Sequence, residues 1–153
     1  MICKLTDEQI DELLHDNVLG HLGCNDGFNT YVYPTNYIYD GKFIICHSQA
    51  GSKIQVMRRN KRVCFQVDEI KNFTSWRSVM LLGEYQELND ERERYNAIKV
   101  FTDLLLRIKI SETALLPGTK KQNSHLHWQG NIRPNIYRIV IDEKTGRYEN
   151  DQR

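Results

Sequence analysis

The chain has 153 residues, enough for one domain with a real core and no need of disulfide or metal staples. Hydrophobic residues at 40% and charged residues at 27% exclude a disordered tail, and a net charge of +1 argues against a dedicated nucleic-acid or membrane-surface protein. No apolar run approaches the roughly 20 residues of a membrane span, and the first eight residues lack the basic-then-apolar form of a signal peptide. The expectation is a single cytoplasmic domain over residues 1–153, with no nucleic-acid and no membrane partner.

Thr6-Asp7-Glu8-Gln9 reads as a capping box, and Ile10, Leu13 and Leu14 follow at helical spacing. A short helix is expected from about Asp7 to His15. Val18 to Cys24 reads as a strand ended by the turn Asn25-Asp26-Gly27, and Gly20 and Gly23 mark bends or close backbone approach. Thr30 to Tyr39 is the most strand-like stretch, and Pro34 inside it signals an edge or a bulge. Tyr31, Tyr33, Tyr37 and Tyr39 share one face of an extended strand. Sheet or dimer packing is their first reading, and ring contacts to a ligand the second. A base-stacking platform is disfavoured by the lack of a basic stripe.

Asp40-Gly41 is a hairpin signal, returning Lys42 to His47 as a strand. A loop then feeds a short helix that stops near Asn60, and Arg62 to Val67 alternates as a strand. Trp76 to Leu88 is a long strand, kinked at Gly83. Asp90 caps a helix with Tyr95, Ile98, Phe101, Leu104, Leu105 and Ile108 at i, i+3, i+4 spacing. Residues 111–134 carry little periodicity, and structureless stretches longer than roughly 12–15 residues are often functional or disordered. Asn135 to Asp142 is the last strand, with a turn at Lys144 to Arg147.

About six strands, two or three helices and repeated hairpins indicate a mainly β fold with flanking helices, an antiparallel sheet or barrel. Cys3, Cys24, Cys46 and Cys64 form no C-x-x-C pair, and the last three sit in apolar strands, so core packing in a reducing setting is their expected role. His125 and His127 alternate along a strand, but they lack nearby Cys or acidic partners, and no metal is expected.

The segment His47-Ser48-Gln49-Ala50-Gly51-Ser52-Lys53 carries the strongest chemical signal. A strand ends, small and hydroxyl residues follow, and a helix begins at a lysine. Free N–H groups of a helix N-terminus, two hydroxyls and the Lys53 charge make a cradle for one phosphate. The same segment also reads as a capped helix with a solvated basic face. It is neither a P-loop nor a Rossmann fingerprint.

Taken in order, Tyr31-Val32-Tyr33-Pro34-Thr35-Asn36-Tyr37, Asp40-Gly41, Phe43 to Ser48, Gly51-Ser52-Lys53, Arg58-Arg59-Asn60, Val63-Cys64-Phe65, Trp76-Arg77-Ser78-Val79 and Gly83-Glu84-Tyr85 form a pattern. This pattern resembles the pyridoxamine 5′-phosphate oxidase-like FMN-binding split barrels, and among them the 5-nitroimidazole reductase (antibiotic-resistance) branch. The resemblance covers roughly residues 5–110 and the final strand. It implies a six-stranded antiparallel split β-barrel and a homodimer with FMN at the interface. Ser48, Ser52 and Lys53 are then expected to hold the flavin phosphate. Thr35, Asn36 and Tyr37 are expected along the ring, and Trp76 and Ser78 on a strand passing close to the same cofactor. His47 takes a substrate-side or proton-handling place, counted among both the cofactor contacts and the catalytic residues. The partner chain would complete each site, through the loop around His125, His127 and Trp128.

The resemblance implies electron transfer through FMN to a small acceptor, a 5-nitroimidazole nitro group being one such acceptor, with NAD(P)H as a donor. The Arg- and Trp-rich C-terminal segment of the pyridoxamine phosphate oxidases proper has no match in Tyr137 to Arg153, which argues against pyridoxamine phosphate as substrate. The alternatives are a non-catalytic flavin- or haem-binding split barrel, and a cofactor-free interaction module.

Overall fold

The computed structural model describes residues 1–49, 51–107, 119–122, 125–128 and 134–150. The chain runs β1 (Ile2–Lys4), α1 (Asp7–Asp16), β2 (Leu19–Asn25), β3 (Thr30–Tyr39), β4 (Phe43–Ser48), α2 (Ser52–Arg59), β5 (Arg62–Asn72), β6 (Ser75–Glu87), α3 (Glu91–Arg107), β7 (Thr119–Gln122), β8 (His125–Trp128) and β9 (Asn135–Glu149). The strands hydrogen-bond in the order β9-β4-β3-β2-β5-β6, and β6 pairs back onto β9. All these pairings are antiparallel, so the sheet closes into the expected six-stranded barrel. β1 adds to the end of β9, and β7 and β8 form a separate two-stranded ladder.

Strand alternation decides what lies inside. Leu22, Tyr37, Ile44, Cys46, Phe65, Leu81, Tyr137 and Ile139 fill the barrel with no exposed side-chain surface. Ile10, Leu13 and Leu14 of α1 and Ile54 and Met57 of α2 join the same core. Burying each such side chain contributes about 1.5–3 kcal/mol. The capping box of α1 forms as expected: Gln9 N–H donates to Thr6 Oγ1, and Thr6 N–H to Gln9 Oε1. α3 lies outside the barrel, over a second small cluster of Leu88, Ala97 and Ile136. Asp90 accepts from the N–H of Glu93 at the start of α3, as a cap does.

Gly83 sits where the β6–β9 register shifts, and a Cβ there would overlap the Val140 carbonyl, which explains the kink read from the sequence. Pro34 lies in the half of β3 that pairs only with β2, since β4 pairs with Tyr37–Tyr39. The edge reading of Pro34 follows from that pairing.

Four local expectations change. β5 runs on to Asn72, because its register with β6 continues to the hairpin. The turn expected at Lys144 to Arg147 is strand, because those residues pair with Leu81 to Ser78 of β6. β1 is too short for any periodicity to reveal it. The stretch 111–134 contains the β7–β8 ladder, with His125, His127 and Trp128 on β8; the remainder, apart from Pro134, and Ile108 lie outside the described residues.

Candidate functional site

β3 sorts the expected ring contacts onto two faces. Thr35 and Tyr37 point inward, and Asn36 points outward. The Thr35 hydroxyl donates to the Tyr33 carbonyl at 3.1 Å. The Tyr37 ring is fully buried, meets Phe65 edge-on at 5.2 Å, and donates its hydroxyl to the Leu14 carbonyl at 2.7 Å. Burial pushes its hydroxyl well above the usual tyrosine range. The side chains of Thr35 and Tyr37 therefore pack inward, which leaves a ring contact at these positions to their backbone. Alternation is the reason, since three consecutive strand residues cannot face one ligand. Asn36 is half-buried, and its side-chain amide has no hydrogen bond among the described residues.

The cradle segment follows from the end of β4 into α2. Ser48 is the last residue of the strand, and its hydroxyl donates to the Gln49 carbonyl at 2.9 Å. Gly51 is the N-cap of α2 and offers no side-chain cap, so the first-turn N–H groups are left for an outside acceptor. Ser52 is exposed at the first helical position. Lys53 turns inward and is half-buried, with Nζ 5.5 Å from the centre of the Tyr33 ring. No carboxylate pairs with it among the described residues. Burial lowers its pKa, and the Cys46 and Cys24 thiols act the other way. An ammonium held part-way out of water without a counter-ion fits an anion, and the uncapped helix start beside it fits the same anion.

His47 lies on the outer face of β4, opposite Ile136 of β9. Its ring stands edge-on to Phe101 of α3, at 4.9 Å and 86°. Asn36 and His47 are each the residue next to the Tyr37–Cys46 pair of β3 and β4, and both lie on the outward face.

Trp76 and Ser78 do not join this group within one chain. They lie on β6, separated from β3 by two strands in either direction round the barrel. Ser78 accepts a hydrogen bond from Gln66 Nε2 at 3.1 Å. Trp76 donates from Nε1 to Glu149 at 3.2 Å and lines a separate cleft of about 430 Å³ with Glu69, Arg77 and Tyr148. The outward face of β2, β3 and β6 also exposes Leu19, Val32 and Met80, at 52%, 64% and 45%. Those exposures are high for apolar side chains on one continuous face.

Of two further residues near the site, Tyr33 was read only as one of the strand's four tyrosines, and His21 was missed in the sequence. Tyr33 underlies the Lys53 ammonium. His21 stands opposite Pro34 on β2. The alternation of Leu19, His21 and Gly23 between buried neighbours was the signal for His21, and the two glycines obscured it. Among the described residues no group of three or more His, Cys, Asp or Glu could hold a metal.

Residues 6–148 match the family described as pyridoxamine 5′-phosphate oxidase. The chain is 37% identical over 70 residues to an uncharacterized protein of Rhizobium meliloti (strain 1021), and that match spans 46% of each chain, so about half the length of the relative. The fold is similar to that of a FAD-binding protein from Mesorhizobium loti, with TM-score 0.73 and 26% identity over 99% of this chain and 98% of that one. It is also similar to a candidate 5-nitroimidazole antibiotic resistance protein from Bacteroides thetaiotaomicron, with TM-score 0.71 and 19% identity over 97% and 87% of the two chains. A flavocytochrome from Azotobacter vinelandii shares the fold, with TM-score 0.67 and 18% identity over 95% of this chain and 68% of that one.

Proposed function

Because this chain belongs to the pyridoxamine 5′-phosphate oxidase family, we propose that it binds FMN and serves as an oxidoreductase for a small acceptor of the nitro-aromatic kind. The observation that carries the reading is Lys53, a half-buried ammonium with no carboxylate beside it among the described residues, at a helix start without a side-chain cap. The flavin phosphate would sit there, held by Lys53 and the N–H groups at Ser52 and Lys53, with the Ser52 hydroxyl in reach. Asn36 would address the polar edge of the ring, and the backbone from Pro34 to Tyr37 would lie along it. When bound, the flavin supplies the electron transfer; the protein binds it, orients it and excludes water. His47 stands beside Asn36 and is the residue nearest to where an acceptor would approach.

The separation of Trp76 and Ser78 from β3 supports a homodimer. A second copy, covering Leu19, Val32 and Met80, would bring its own Trp76–Ser78 strand to the first copy's cradle. NAD(P)H is the proposed donor.

The test is an absorbance spectrum after incubation with excess FMN and removal of free cofactor, with Lys53→Ala alongside. A retained flavin band that weakens in the variant supports the cradle, and turnover is then measured anaerobically with NADPH and a 5-nitroimidazole. A folded, dimeric wild type that retains no flavin sinks the reading.

A further inference from the structure

We propose that His21 is a further contact of the same site, donating a hydrogen bond from β2 to the flavin ring; the proposal rests on the flavin reading above. The ladder places His21 directly opposite Pro34 on one side and opposite Gln66 on the other. Residues paired in this way point to the same face, with Cβ atoms about 4.5–5.5 Å apart. His21 is thus on the outward face with Asn36, two pairs further along the same ladder. A planar ring laid along β3 from Pro34 to Asn36 comes within reach of the imidazole.

His21 is half-buried, and it makes no hydrogen bond, ion pair or ring contact with the described residues. Gln66 donates its Nε2 to Ser78, and no hydrogen bond joins Gln66 Oε1 to the imidazole among the described residues. Along the outward face of β2, His21 stands between Leu19 and Gly23, and the Cys64 sulfur closes over Gly23. The face around it exposes Leu19, Val32 and Met80 beside the polar Asn36, Gln66 and Ser78. Once that face is covered, an imidazole left without a partner loses its hydration with nothing in return. The carbonyls and ring nitrogens of an isoalloxazine are acceptors that an imidazole N–H at this point can reach. Asn36 and His21 would then hold the polar edge of the ring from adjacent strands, while Lys53 holds the phosphate.

The test uses the full chain with His21→Leu, which removes the donor, and His21→Gln, which keeps one. FMN affinity is read by quenching of flavin fluorescence, and the midpoint potential of the bound flavin by spectroscopic titration against a reference dye. Loss of one such hydrogen bond weakens binding about tenfold. It also makes the potential more negative, because a donor stabilises the electron-rich reduced ring more than the oxidised one. His21→Gln restores most of both effects, and the three proteins melt alike without flavin. A Leu variant with wild-type affinity and potential overturns the assignment, as does a Gln variant no better than Leu. Those outcomes leave the flavin reading standing, whereas a wild type that binds no FMN removes both.

Discussion

The ammonium of Lys53 lies 5.5 Å from the centre of the Tyr33 ring, with no carboxylate beside it among the described residues. Burial costs that charge its hydration, the ring face returns part of the loss, and an anion would return the rest. Lys53→Met keeps the packing of the stem and removes the charge. We expect its flavin-free melting temperature to equal or exceed that of the wild type, while FMN affinity falls at least tenfold, the scale of one charge-assisted hydrogen bond. A parallel fall in melting temperature would show that Lys53 is structural.

Tyr37 gives the opposite pattern. Its hydroxyl satisfies the Leu14 carbonyl near the end of α1, inside the core. Tyr37→Phe should destabilise by about 1–2 kcal/mol in urea titrations, since a buried acceptor loses its donor. FMN affinity should stay within twofold. A large loss of affinity at unchanged stability would return Tyr37 to the list of ligand contacts.

Gly83→Ala should be among the most damaging small substitutions. The added Cβ would meet the Val140 carbonyl and the Ile139 side chain across the β6–β9 bulge. Backbone cannot yield there without breaking the seam that closes the barrel. We expect a loss of about 3 kcal/mol, measured as a shift in urea midpoint. A variant as stable as the wild type would mean that the seam is slack.

The clip holding α1 to β9 sets a pH dependence. Lys144 Nζ and the Tyr39 hydroxyl both donate to Asp11 Oδ1 at 2.8 Å. The hydrogen bond from Lys144 is the main reason that the Asp11 carboxyl titrates below its usual range, and burial opposes it. A depressed carboxylate contributes stability fully above its unfolded value, about 3.9, and loses it as pH falls through the folded value. The Lys144 pKa is raised, mainly by the same bond, so its contribution is lost only as pH rises past about 10. Both groups are partly exposed, so Asp11→Asn should cost only about 0.5 kcal/mol at pH 7. The difference from wild type should shrink as pH falls below about 3.9 and vanish once the folded-state Asp11 carboxyl is protonated. A difference that persists there would implicate packing instead of charge.

The cysteines should separate by reactivity. The Cys46 thiol is fully buried, and burial pushes it up to about 12; burial also raises Cys24. Cys3 and Cys64 are part-exposed. In native protein, alkylation followed by mass spectrometry should modify Cys3 and Cys64 well before Cys24 and Cys46. Early labelling of Cys46 would indicate that the barrel opens locally.

The chain by itself determined most of the elements and the passage from β4 into α2 on which the proposed cradle rests. Capping residues, hairpin glycines and alternation are local, so α1, β3, α2 and the Ser48–Lys53 turn could be read from neighbouring residues alone. Alternation in Thr30–Tyr39 even contained the inward placement of Tyr37, although the resemblance drew attention to the ring of the flavin instead. Tertiary structure decided everything that depends on partners distant in sequence. Pairing with β6 keeps Lys144 to Arg147 extended despite a turn composition, because ladder hydrogen bonds outweigh local propensity. Closure of the barrel sends Trp76 and Ser78 away from Asn36, and strand register brings His21 beside Pro34. A register is a relation between two strands, and no periodicity within either one can express it.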